Sequence, residues 1–581
     1  MKNKLKGLYK KLSDNKVLIY LIIFVTLVRF MISFSLPSFS IFNLPYDDKL
    51  MLFRLTNLLD GKYFGNYNYL TLVKGIIYPL FLYICYITKI SYSTMLTILY
   101  ILSCLYFSFS LKKFVKNKYY ILILYVVLLF NPISYSSELF QRLYRNSLSI
   151  IEILFFLGLV IRIIYNDKIK IHNYIFLGLI VSIMFLTKEE NIWVWLVLGI
   201  LFIYKVYKNI NIKNIIVNLI PVFEIIICLN IVCLVNYNYY KTYTYNELSK
   251  SEFKKTYIKM LEIKEDKKID HVSIQKDTLY KLADNSKLFN ISREKIDKIY
   301  EAAADENGEI NNGNVIWYLK GFTHVYGKFK NGKEANKYYK KLGKEIDELF
   351  KKGKLEKEFT IPSLFIYTPT WKDIKKVPGY LIKAIVYTST YDEIKVITNN
   401  NFGNWKYNKK YRSYLLVYRD YHNSANIVKE NIAGYEFLRI IYKVLTIILS
   451  IPSLFIYIKN IRKKDKINLV LHMLVLIYLL IIGGVVYNHI TAFDSLRYCY
   501  LGNIYLLQTI FIIINTYRFI DEKIIVVNEV ETKDNEISIS EVKLEEKKEV
   551  KTKTKTSTKN KSNSKSKTTT KGKTKSNTKT K

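Results

Sequence analysis

The chain has 581 residues, 50% of them hydrophobic, and 88 Lys and Arg against 48 Asp and Glu give a formal net charge of +40. A single soluble globule cannot bury that much apolar surface while displaying that much charge, whereas membrane segments joined by basic loops can. The five cysteines lie in or beside apolar runs and the six histidines show no H-x-x-x-H spacing, so neither a disulfide framework in the polar part nor a helical histidine metal motif is indicated.

The first apolar run, 17–36, has no small-residue cleavage site after it and reads as an anchor. Runs at 92–111, 145–165, 214–236, 434–458, 467–487 and 497–518 follow, each near the ~20 residues that cross a bilayer as a helix. Shorter runs lie at 70–88, 118–134, 173–187 and 191–207. Lysine clusters at 2–11, 112–118, 168–170, 205–213 and 459–466 mark cytoplasmic loops, because short Lys- and Arg-rich loops stay inside. Segments 37–47, 131–145, 187–191, 237–432 and 488–496 then face outward. The alternation closes if 70–88, with Lys74 near its start and Pro79 within it, is re-entrant or interfacial. The expectation is an all-α polytopic protein of the plasma membrane, with about ten transmembrane helices and both termini cytoplasmic.

Four regions follow: an N-terminal membrane module at 1–236, a mostly helical extracytoplasmic insert at 237–432, a C-terminal membrane module at 433–518 and a tail at 519–581. In the insert, Ala335, Tyr338, Tyr339, Leu342, Ile346, Leu349 and Phe350 fall at helical spacing, and Gly353 is a stop signal. A shorter aromatic helix precedes it in "NVIWYLKGFTHVYGKF"; after Pro362 the prolines point to loops or short elements. The tail, "KTKTKTSTKNKSNSKSKTTTKGKTKSNTKTK", has no acidic or large apolar residue and is expected to be disordered, drawn to anionic lipid headgroups and not to any specific nucleic acid.

The polar residues that this topology turns outward are the functional candidates. Asp47 and Asp48 in "NLPYDDKLM" have two readings: caps at the positive end of an amphipathic helix, or carboxylates that carry chemistry. Capping needs one Asp, and there are two. Arg142 and Arg145 in "NPISYSSELFQRLYR" either snorkel at a helix start or grip a phosphate through paired N–H donors. Lys188, Glu189 and Glu190 in "FLTKEENIWVW" are either a polar turn beside an aromatic belt or part of the same site. His489, Asp494 and Arg497 in "YNHITAFDSLRYCY" are either solvated or site residues, and Glu224 is an acid inside a membrane run. Acids, arginines and a histidine on one face suit an anionic lipid-phosphate substrate and a nucleophile that must lose a proton. Adjacent acids also suit a divalent cation, though no DxD motif is present.

The order of these motifs resembles that of the GT-C superfamily of multi-pass glycosyltransferases. The resemblance rests on the acidic pair in "PYDDKLM", the Lys/Pro segment "LVKGIIYP", and "NP" followed by arginines in "NPISYSSELFQRLYR". The chain also looks like a group of bacterial membrane proteins with a "TREE"-like turn, here "TKEEN", and a W-x-L-K/R segment, here "WYLKGF". The resemblance implies transfer of a sugar from a polyprenyl-phosphate donor, with Asp47 or Asp48 as acid/base and Lys74 and Arg142 or Arg145 on the lipid phosphate. Lys188, Glu189, His489 and Arg497 complete the expected substrate-binding set. The large insert interrupting the membrane module departs from that pattern. A transporter or flippase of a lipid-linked intermediate, or an envelope-assembly scaffold, would use the same charges without catalysis.

Overall fold

The computed structural model describes residues 15–522 apart from 35, 37, 42–46, 167, 290, 360–368, 397–420 and 493–494, and gives the backbone alone at 15, 34 and 421–432. Two compact units are distinguished, Met1–Tyr517 and Arg518–Lys581, and of the second only residues 518–522 are described. The tail expectation therefore lies almost wholly outside the described residues.

Among the described residues the regular structure of the first unit is all helical. Its helices are α1 (Asn15–Phe34), α2 (Asp48–Leu59), α3 (Ile77–Thr88), α4 (Tyr92–Ser110), α5 (Lys118–Leu129), α6 (Asn146–Tyr165), α7 (Ile171–Thr187), α8 (Val194–Lys208) and α9 (Ile212–Tyr240). In the insert α10 (Glu252–Leu261), α11 (Lys276–Asn285), α12 (Arg293–Ala303), α13 (Asn312–Gly327), α14 (Gly332–Lys351) and α15 (Trp371–Thr390) follow. The chain continues with α16 (Tyr421–Asn460), α17 (Lys466–Thr491) and a last helix, α18 (Tyr498–Glu522). Among the described residues the only extended pairings are isolated bridges, Phe39 with Arg142 and Ile263 with Lys357.

Among the described residues, eight helices are long and apolar enough to cross a membrane: α1, α4, α6, α9, α16, α17, α18 and the segment Asn191–Lys208 that contains α8. Three shorter apolar helices, α3, α5 and α7, account for the remaining runs. At about 1.5 Å per residue the 12 residues of α3 reach only about 18 Å, short of the ~30 Å hydrocarbon core. The helices do not share burial equally. In α6, 89% of the span is buried, against 11% in α1, so α6 is the hub and α1 lies at the rim. The neighbours that enclose α6 are chiefly α4 and α7.

The insert follows its sequence pattern up to α14. Ala335, Tyr339, Leu342, Ile346 and Leu349 form the buried stripe of α14, and Gly353 takes the left-handed conformation (φ +67°) just past its end. The expectation of loops after Pro362 is corrected by α15. It begins with a Thr370–Asp373 capping box and continues through Pro378 for 20 residues. The missing proline N–H costs one hydrogen bond, but packing of α15 on α16 and α17 holds the helix.

Candidate functional site

Neither aspartate of the opening pair caps α2. Asp47 occupies the N-cap position and its carbonyl accepts from the Met51 amide (3.1 Å), yet its side chain makes no capping bond. Its carboxylate instead pairs with Lys74. Asp48 turns the other way. Arg142 Nε donates to both carboxylate oxygens (3.0 Å each), Nη2 donates to Oδ1 (2.6 Å), and the Ile41 amide donates to Oδ2 (2.7 Å). Asp48 is fully enclosed, whereas the Asp47 side chain is 24% exposed. One acid is thus locked into the fold, and the other is reachable.

Local chain geometry explains each partner's position. Arg142 is carried on an extended residue after a π-helical turn, Ser137–Gln141, and a parallel bridge ties it to Phe39. The Phe39 amide donates to Gln141 O and the Leu143 amide to Phe39 O (both 2.9 Å), which sets Arg142 beside the start of α2. Lys74 sits on the irregular stretch between α2 and α3. Buried Arg54 of α2 pins that stretch, donating to the carbonyls of Lys74 (2.8 Å), Gly75 (3.3 Å) and Leu70 (3.2 Å). A Cβ at Gly75 would overlap the backbone carbonyl of Leu186, so only glycine lets this stretch touch the end of α7. That contact delivers Lys74 next to the Lys188-Glu189-Glu190 turn.

Arg145, at the N-cap position of α6, completes the cluster. It pairs loosely with Glu189 (3.5 Å) and Glu190 (3.2 Å), donates to Thr187 O (3.3 Å), and its buried Nε has no partner among the described residues. Asn246 of the insert holds Glu189 through its amide (2.6 Å). Lys188 Nζ makes no ion pair among the described residues, while the Lys188 amide closes α7 on Met184 O. The insert also reaches the Lys74 stretch directly: Trp317 of α13 lies 5.9 Å from the Lys74 ammonium. Buried Lys320 pairs with Glu247 (2.7 Å) and donates to Tyr69 O (2.9 Å), and the Tyr67 hydroxyl donates to Glu247 (2.9 Å).

The electrostatics separate the acids. Burial alone would push Asp47 up, but the Lys74 charge and hydrogen bond, with Arg145 and Arg142 beyond, hold it below its ordinary value. Burial pushes Asp48 up against the opposing pull of Arg142 and the Ile41 amide. Burial likewise lowers Lys74 and Lys188, against the attraction of Asp47 and Glu190 respectively. Burial and the neighbouring Glu190 raise Glu189, whereas Arg145 and Lys188 bring Glu190 down.

The structure therefore joins Asp47, Asp48, Lys74, Arg142, Arg145, Lys188 and Glu189 in one cluster. His489 lies edge-on to Tyr380 (4.5 Å between ring centroids), and Arg497 is exposed just before α18; neither takes part in the cluster's ion pairs. Asp494 lies outside the described residues. Glu224 is in α9 against Gly178 of α7, with Oε2 buried and unpartnered among the described residues. Sequence reading missed Arg54, Asn246 and Trp317 as site-shaping residues. For a divalent cation, the carboxylates of Asp47 and Asp48 point to different cations, and among the described residues no three His, Cys, Asp or Glu side chains converge on a metal position. The chain matches no protein-family model, no curated protein and no solved structure.

Proposed function

We propose that the chain is a glycosyltransferase of the plasma membrane that moves a sugar from a polyprenyl-phosphate donor to an acceptor on the outer face. The observation that carries this reading is the division of labour between the two aspartates: a reachable carboxylate, Asp47, held ionised by Lys74, beside an enclosed one, Asp48, held by Arg142. An ionised, positioned carboxylate is what a general base requires. Two neighbouring cations support a phosphate subsite. Arg145 has only long contacts and an unpartnered Nε, and Lys188 makes no ion pair among the described residues. Both can meet the charge of a departing phosphate.

In this mechanism the acceptor's nucleophilic atom loses its proton to Asp47 and bonds to the anomeric carbon. The bond from that carbon to the phosphate oxygen breaks, and the electron pair leaves with polyprenyl phosphate, whose charge Arg145 and Lys188 offset. Asp48 and Arg142 act as positioning residues: they fix the start of α2, and with it Asp47. Lys74 keeps Asp47 ionised until the acceptor arrives. The Lys-rich loops support an orientation with this cluster outside and both termini inside, with about ten crossings.

Purified protein in nanodiscs, given polyprenyl-phosphate-linked hexoses, tests the reading through release of polyprenyl phosphate. Release that falls about 10²–10⁴-fold in Asp47→Asn supports it. Release that persists in Asp47→Asn, or that no donor elicits from a folded wild type, overturns it.

A further inference from the structure

Within the insert, α15 does not behave as part of a water-exposed domain. It packs along α16 and α17, both long and apolar enough to cross a membrane. Its partners report its depth. Tyr380 meets His489, near the C-terminal end of α17. Thr388, two turns further on, lies beside the Tyr478 hydroxyl, and Tyr478 is the thirteenth of the 26 residues of α17. The two helices therefore run antiparallel, and the C-terminal end of α15 reaches the middle of a membrane-length helix. Contacts to α18 agree. The Tyr505 hydroxyl donates to Tyr387 O (3.2 Å), Gln508 Nε2 donates to Ser389 Oγ (2.8 Å), and the hydroxyls of Tyr391 and Thr509 meet at 3.2 Å.

The chain then turns back. Tyr391 takes the left-handed conformation (φ +58°), and four residues later Lys395 O accepts from the Ser137 amide (2.7 Å). The Ser137 hydroxyl bonds that of Tyr498, the first residue of α18. The Ile394 amide donates to Tyr391 O (3.1 Å) and closes the turn, in which Tyr391 and Ile394 are buried and Asp392, Glu393 and Lys395 are exposed. Asp392, the acid at the turn, is paired with Arg439 (3.1 Å) and Lys443 (2.8 Å) of α16. The face of α15 turned from α16 and α17 carries exposed Ile382, Ile385 and Val386, with exposed Lys383 among them lying 5.5 Å from the Tyr387 ring, while Trp371, Lys372, Lys375 and Lys376 cluster at its entry. Apolar side chains at depth with Trp and Lys at the boundary is the pattern of a segment seated in a bilayer.

We infer that α15 is a membrane-seated helix, entering at Trp371 and turning at Tyr391, whose Ile382, Ile385 and Val386 face contacts phospholipid acyl chains. The polar insert then begins and ends at different depths: its earlier helices lie outside the hydrocarbon and its last one is embedded. The element does not depend on the transferase reading.

Hydroxyl-radical footprinting of the wild-type protein in phosphatidylcholine nanodiscs tests this without altering the chain. Ile382, Ile385 and Val386 should stay as unmodified as Ile448 of α16, while Phe359, 86% exposed in the insert, is oxidised readily. Oxidation of the three at a rate near that of Phe359 would overturn the inference. As a second measurement, a benzophenone side chain installed at position 382 should give phospholipid adducts on irradiation, and one at exposed position 340 of α14 should give none. Equal adduct yields at the two positions, or none at 382, would refute it as well.

Discussion

Substituting Asn for Asp48 separates a helix cap from a structural ion pair. Asn caps a helix about as well as Asp, so a capping aspartate would tolerate the change. In the structure the Asp48 carboxylate takes three short contacts from Arg142 (3.0, 3.0 and 2.6 Å) and one from the Ile41 amide (2.7 Å), with no solvent access. Asn keeps one acceptor oxygen but turns an NH₂ group toward donors and leaves Arg142, 7% exposed, without a counter-charge. Removing one partner of such a buried pair costs about 3–5 kcal/mol. With the pair broken in the transition state for unfolding, inactivation in detergent quickens by about 10²–10³·⁵-fold, since ~1.4 kcal/mol is tenfold. The assay is the half-life of folded protein at fixed temperature, followed by size-exclusion chromatography. The double variant Asp48→Asn/Arg142→Met should recover part of the loss, because the orphaned charge is gone. A half-life of Asp48→Asn within threefold of wild type would refute the argument that Asp48 is an enclosed tie.

Other expectations follow from the same geometry. Asp47→Asn leaves Lys74, 11% exposed, without its counter-charge and should cost about 1–3 kcal/mol, while transfer activity drops. Because Lys74 depresses the folded-state pKa of Asp47, its contribution is present above the unfolded value of about 3.9 and is lost as pH falls through the folded one. In Lys74→Met burial is opposed only by the more distant Arg145 and Arg142, so Asp47 should titrate at higher pH; infrared carboxylate bands would show the shift, and an unmoved titration would contradict it. Gly75→Ala should cost about 1–3 kcal/mol by pushing the Lys74 stretch off the Leu186 carbonyl, read as a lower Tm. Lys320→Met strands Glu247 and should cost about 3–5 kcal/mol, with faster proteolysis between 237 and 330 as the visible sign.

Much of the helical framework was legible because apolar runs interrupted by lysines have one economical explanation. The candidate cluster was legible in its members but not in its pairings. Asp47, Lys74, Arg142 and Glu189 stand out as charges beside apolar runs, yet nothing local says that Arg142 binds Asp48, 94 residues away, and leaves Asp47 to Lys74. Asn246 on Glu189, 57 residues apart, and Lys320 on Glu247, 73 apart, are set by tertiary packing that has no period to detect. Arg54 went unremarked in the sequence because its role depends on three carbonyls of a stretch without regular structure. The prolines after 362 misled in the other direction, because a capping box and side-on packing outweigh one missing amide in α15.

The distance along the chain between Asp48 and Lys320 has a consequence for biosynthesis. At ~5–20 residues per second, roughly 14–54 s separate the emergence of the first aspartate tie from that of the lysine that fastens the insert over the Tyr67–Tyr69 stretch. Within that interval the membrane helices of the first 236 residues emerge in turn, but Glu189 lacks Asn246 until residue 246 is made and Lys74 lacks Trp317 until residue 317 is made. The nascent chain therefore carries its charged residues through membrane insertion before the last contacts that order them exist, and the cluster matures only when the middle of the protein closes on a beginning already in place.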